Sequence, residues 1–244
     1  MRRFTADLHI HTCLSPCGEL TMSPARIVEE AVDKGINIIA ICDHNSADNA
    51  GAVMEVAQGR DIAVLPGMEV TTREEVHICG LFGDVKEALG LQELVYKNLE
   101  GSNDPDAFGM QVIVNAAGEV LGMNERLLIG ATGLALEEVV NAIHKLSGLA
   151  IAAHIDRQGF GIIGQLGFIP AGLPLDALEV SPRMGISGAR EHFPEYAHYP
   201  LICSSDAHQP GDIGSGTTDL LMEAASFEEL RLALRGEAGR RIIR

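Results

Sequence analysis

Several short apolar runs in this chain carry a metal-ligand residue type, and all but VHICGL and the MEV end of its neighbour stop at one; that pattern constrains the fold more than any other feature. The segments are ADLHIHT, IIAICDHN, VLPGMEV followed by VHICGL, LAIAAHID, and LICSSDAH. They carry His9, His11, His44, His77, His154 and His208; only His144, His192 and His198 lie elsewhere. Strands that end in His, Asp or Glu on one face of a barrel describe a polynuclear metal site, most often that of a hydrolase.

Between these runs the periodicity turns helical. Ser23-Pro24 opens a helix to about Lys34, with Ser as N-cap and Pro at the first helical position, and Gly35 closes it. Further helices are expected at Ala47–Gln58, Lys86–Asn98, Leu136–Leu146 and Phe227–Arg235, whereas GSNDPDAFG reads as a loop or short helix and QVIVNAAGEVLG as a hairpin around Gly118. LAIAAHI, LDALEVS, PLICSSDAH and TTDLLME read as four more strands. Strands separated by helices imply parallel βαβ units and an α/β barrel, closed or nearly so, with its site at the C-terminal strand ends. Residues 1–244 read as one domain, with 101–135 as a lid or insertion.

Composition narrows the field. Of 244 residues, 46% are hydrophobic and 21% charged, so a packed core is expected, and without Trp that core is aliphatic. The polar, histidine-bearing start is no secretory signal, and no apolar run approaches the roughly 18–20 residues that cross a bilayer. Five cysteines then fit reduced thiols in a cytoplasm. The net charge of −16 argues against long duplex nucleic acid as a partner, which calls for clustered Lys and Arg. It leaves a phosphate substrate open, since divalent ions reverse the local field.

His9-x-His11 on a strand places both imidazoles on one face, and Asp206-x-His208 repeats the geometry with a carboxylate. Glu69 ends an otherwise apolar strand, a costly position unless it is paired or metal-bound. This nitrogen and oxygen donor set suits Zn²⁺, Mn²⁺ or Fe²⁺. Asp7 and Asp43 read as partners that orient ligand histidines. The remaining thiols, Cys13, Cys42, Cys79 and Cys203, read as small core residues.

In order along the chain, DLHIHT, CDHN, GMEV, HICGL, LEEVVNAIHKLSGLAIAAH and SSDAH resemble the PHP (polymerase and histidinol phosphatase) family of metal-dependent phosphoesterases. The resemblance implies a distorted (βα)7 TIM-like barrel holding two or three divalent ions. It implies that His9, His11, Glu69 and Asp206 hold the first, that Glu69 bridges to a second held by His77 and His154, and that His44 and His208 hold a third. Relatives usually supply a further third-site ligand after H-x-H. Here that stretch is CLSPCGELT: Cys17 ligates as a thiolate, Glu19 reaches in, or the third site stays weak or empty. Many relatives also have Pro after the His154 position; here Ile155-Asp156-Arg157 follows, which makes Arg157 a candidate phosphate contact, with Arg183 and Arg190 beside it.

The expected reaction is in-line attack on phosphorus by a hydroxide bridging two metals, with Asp206 or His208 assisting the leaving group. The expected substrate is a small phosphorylated molecule, a nucleotide or the end of a short oligonucleotide, as for a phosphatase or 5′-3′ exonuclease. Two other readings compete: amidohydrolase-type hydrolysis at carbon, and a non-catalytic PHP module.

Overall fold

The computed structural model describes residues 1–243. Strand β1 (Arg2–Ile10) leads into helix α1 (Pro24–Asp33), then β2 (Ile38–Ile41), α2 (Ala50–Val56) and β3 (Ala63–Thr71). The next elements are β4 (His77–Leu81), α3 (Val85–Asn98), the short α4 (Pro105–Phe108) and the hairpin of β5 (Val112–Val114) and β6 (Val120–Met123). Then come α5 (Leu136–Lys145), β7 (Leu149–Ala152), α6 (Ile162–Leu166), β8 (Ala177–Val180), α7 (Gly185–His192) and β9 (Leu201–Cys203). The described chain ends with β10 (Thr218–Met222), α8 (Phe227–Arg235) and β11 (Arg241–Ile242). Local signals set the helix ends: Ser23 caps α1, Asp84 and Glu87 form a capping box on α3, and Ser226 caps α8, which stops at Gly236 with φ 66°.

Nine strands form one sheet in the order β11-β10-β1-β2-β3-β4-β7-β8-β9. Beyond β9 the chain returns to β1: Ile10 bridges Ala207, and the His11 amide donates to the Ala207 carbonyl at 3.0 Å. The sheet therefore curls into a nearly closed barrel. β1-β2-β3 and β7-β8-β9 run parallel, as βαβ units require, but β4 is antiparallel to both neighbours and β10 is antiparallel to β1. β4 reverses because the turn TREEV is too short for a crossover.

One apolar cluster fills the barrel, with Phe4, Ala6, Leu8, Cys42, Leu65, Cys79, Leu81 and Ile151 inside. Phe227, Leu230, Ala233 and Leu234 of α8 join it and plug the end where β10 finishes beside the start of β1. A second, larger cluster packs the outer helices on the sheet. The alternation of β1 breaks near the site. Phe4, Ala6 and Leu8 face inward, the register with β2 shifts between Asp7 and Ile10, and Ile10 belongs to the outer cluster. That bulge turns His9 and His11 into the barrel mouth. No helix among the described residues is long and apolar enough to cross a membrane.

Candidate metal centre

All six histidines converge at one end of the barrel. His9 and His11 come from the end of β1, His44 follows β2, Glu69 lies near the end of β3, His154 follows β7, and Asp206 and His208 follow β9. His77 opens β4; because that strand is antiparallel, its first residue, not its last, reaches the same end. Glu69 pairs with Cys79 and Thr71 with His77, so Glu69 and His77 are diagonal neighbours on one face. His9, His11, Glu69, His44, His77, His154 and Asp206 are all buried. Left-handed backbone concentrates here, with φ 50° at Asn45, 30° at His154, 60° at Phe160 and 52° at Asp206. Such strain in non-glycine residues persists where the surroundings over-determine it.

Three groups of donor atoms each lie within 4.8 Å of one another: His9, His11, Glu69 and Asp206; His44, Glu69 and His77; and His11, His44 and His208. His154 Nε2 joins the second, 3.2 Å from Glu69 Oε1 and 3.3 Å from His77 Nδ1.

The hydrogen bonds around the first group test whether a cation fits it. His9 Nδ1 lies 3.0 Å from a carboxylate oxygen of Glu179, which only accepts, so Nδ1 carries the proton. Ser15 Oγ donates to Asp43 at 2.7 Å and must therefore accept from His11 Nδ1 at 2.9 Å. Both Nε2 lone pairs then point inward. They sit 3.2 Å apart, with Asp206 Oδ1 3.3 Å from His9 Nε2 and 3.0 Å from His11 Nε2. Four electron-rich atoms aimed at one another repel. A divalent cation satisfies them together; protons satisfy them only singly. His44 Nδ1, 3.0 Å from Glu69 Oε2, is buried without a well-aligned hydrogen bond of its own.

The protonation equilibria respond to this crowding. Burial raises the Glu69 and Asp206 carboxyls, but the surrounding imidazoles outweigh it and hold both well below the usual carboxylate range. Burial opposes charge on His44, yet Glu69 lifts its pKa to about 10. His11 is driven down by burial and by His208.

Cys17 is exposed and lines the same cavity, of about 230 Å³. Burial acts to raise its thiol, but hydrogen bonds to His208 and His44 bring it down to about 7. Glu19 is not among the residues lining the cavity. Of the three candidate arginines, only Arg157 reaches it, donating to Asp206 Oδ2 at 2.5 Å. Arg190 lines a separate cavity with Arg235 and Arg241, and Arg183 is exposed in the turn before α7.

The supporting residues differ in part from expectation. Asp43 acts on His11 through Ser15. Asp7 hydrogen-bonds instead to backbone: it accepts from the Ser205 and Gly214 amides and so braces the loop that carries Asp206. Sequence reasoning missed Glu179, which binds His9 and also accepts from the His154 amide at 3.2 Å. Its signal was present, since a carboxylate near the end of the buried run LDALEV repeats the signature of Glu69.

The family model described as PHP domain matches residues 7–208. The chain belongs to the PHP domain family. Among curated relatives, YqxK of Bacillus subtilis is 26% identical over 277 residues, covering all of this chain and 65% of YqxK. A 5′-3′ exoribonuclease of Haemophilus influenzae is 25% identical over 190 residues, covering 61% of this chain and 68% of that protein. Among solved structures, the lesion-specific endonuclease Q of Pyrococcus furiosus superposes with a TM-score of 0.78 at 20% identity, covering 99% of this chain and 58% of that one. The chain thus spans about two thirds or less of the length of YqxK and endonuclease Q.

One expectation is overturned. Endonuclease Q has the same fold over this region, and its complex holds a 27-mer duplex with an abasic lesion at the active site, with a TM-score of 0.75 to this chain. Net charge is therefore no ground for excluding long duplex from this fold. It averages the whole surface, whereas a bound polyanion meets only the local field of ions and arginines at the site.

Proposed function

We propose that this PHP chain is a metal-dependent hydrolase of phosphate esters, acting on a nucleotide, a nucleic-acid end or another small phosphorylated molecule. The observation that carries this reading is the set of inward-facing lone pairs on His9, His11, Glu69 and Asp206, beside the guanidinium of Arg157. His9, His11, Glu69 and Asp206 would hold one ion, Glu69, His77 and His154 a second, and His44, His208 and Cys17 a third, with Zn, Mn or Fe as candidates. Bound there, divalent ions supply Lewis acidity toward phosphoryl oxygens and a nucleophile at neutral pH.

The chain's own groups do the rest. Glu179 and Ser15 keep the proton of His9 and His11 on Nδ1, so each Nε2 stays a donor. Arg157 offers N–H groups to a phosphoryl oxygen at the cavity edge. The His208 Nδ1–H donates a hydrogen bond to the Asp206 carbonyl at 2.8 Å, which leaves Nε2 to ligate or to serve the leaving group. Residues 101–135 act as a lid within a single domain: Asn45 donates to the carbonyls of Leu128 and Gly130, and Ile129 between them lines the cavity.

The test measures metal content by plasma mass spectrometry alongside hydrolysis of p-nitrophenyl phosphate and nucleoside bisphosphates, with Mn²⁺ and with chelator. Hydrolysis should require metal, and His9→Ala should lose both. Full metal content and full activity in His9→Ala sinks the reading.

A further inference from the structure

Phe160 lines the metal cavity with about 41% of its surface exposed. One ring face lies against His77, with centroids 4.5 Å apart and planes 16° from parallel. His77 Nδ1 is in turn 2.8 Å from Glu69. The ring is therefore backed by the centre itself, and the exposed remainder of the side chain faces the cavity and solvent.

The display is enforced. Phe160 has φ 60°, a left-handed conformation that is an outlier for a bulky side chain. The loop holds it there. The His77 amide donates to the Phe160 carbonyl at 2.8 Å. A Cβ on Gly161 would sit 2.5 Å from the Arg157 carbonyl oxygen, and one on Gly164 would sit 2.4 Å from that of Gln158. The backbone after Arg157 is thus tightly wound, with no room for a side chain at either glycine. Arg157 and Phe160 leave the same loop, one carrying a cation for phosphate and the other a flat apolar face. Ile129, held by the two Asn45 bonds, adds a second apolar wall.

We propose that Phe160, backed by His77 and flanked by Ile129, is a stacking shelf for a planar ring carried next to the scissile phosphate, a nucleobase above all. This rests on the proposed phosphoester hydrolysis and narrows its substrate class to nucleotides. Every base offers a π-face, so such a shelf selects for aromatic substituents without reading base identity.

The chain contains no Trp, so Phe160→Trp introduces a single tryptophan at the shelf, excited selectively over the three tyrosines. Titrated into the metal-loaded variant, adenosine 5′-monophosphate should quench its emission saturably, and glycerol 2-phosphate should not. In parallel, the ratio of kcat/KM for adenosine 5′-monophosphate over glycerol 2-phosphate should fall about tenfold in Phe160→Leu, as loss of one base stack predicts. An unchanged ratio, or equal quenching by both ligands or by neither, overturns the shelf and leaves Phe160 as a support for His77. If wild-type protein hydrolyses neither ester, the proposed activity fails, and the quenching titration alone then decides the shelf.

Discussion

At the scale of single residues, the groups behind the candidate ligands matter as much as the ligands. Glu179 never enters the donor groups, yet its carboxylate decides which nitrogen of His9 faces inward. Glu179→Gln removes that charge and should weaken metal affinity about 10- to 100-fold, read by competition with a chelating dye. Wild-type affinity in that variant refutes the orienting role. Thiol reactivity gives a second check. Cys13, Cys42, Cys79 and Cys203 are buried and only Cys17 is exposed, so a thiol reagent should label one site in the folded protein and five in denaturant. Loading with Zn²⁺ should slow labelling at Cys17 if it ligates beside His44 and His208; an unchanged rate argues against ligation. The ligand types themselves were legible in the sequence, because a charged or imidazole side chain ending an apolar strand has few inexpensive explanations. Arg157 could not be separated from Arg183 and Arg190 that way, since an arginine on a loop looks the same wherever the loop points.

At the scale of elements, β3 and β4 form the hinge of the site. Their antiparallel pairing brings His77 diagonally beside Glu69, and it depends on close backbone approach at Gly67. A Cβ there would lie 2.8 Å from the Gly80 carbonyl oxygen and 3.0 Å from that of Ile41. Gly67→Ala should therefore destabilise the fold by about 1–3 kcal/mol in urea unfolding, because neither backbone neighbour can yield cheaply. A neutral effect means the strands part more readily than their register indicates. Sequence periodicity anticipated both strands and the polar turn between them. It was less informative about β1. Strict alternation sets Asp7, His9 and His11 on the face opposite Leu8, whereas the bulge between Asp7 and Ile10 puts His9 and His11 inside with Leu8. Bulges arise from competing pairings with neighbouring strands, and those partners are remote in sequence.

At the scale of the whole molecule, the barrel has two unlike ends. α8 plugs one with apolar side chains, and the other collects two carboxylates and six imidazoles in a space where protons cannot satisfy all of them. Binding of cations to the folded state alone should stabilise it by about 2.7 kcal/mol at a hundred times Kd. Chelation should accordingly lower Tm by about 5–10 °C, measured by calorimetry with metal content checked in the same sample. Complete metal loss with an unchanged Tm shows that the donor groups are uncoupled from folding. What the sequence determined by itself was the inventory: an alternating α/β chain, an aliphatic core, and ligand types placed at strand ends, because burial and side-chain alternation act locally. What only the tertiary structure decided was which groups meet: His9 with Glu179, Arg157 rather than Arg190 at the centre, and Phe160 held against His77. Those meetings join residues tens to hundreds of positions apart, and they follow from barrel closure at Ile10 and Ala207, the reversal of β4 and the strained turns around the mouth, none of which a local window of sequence contains.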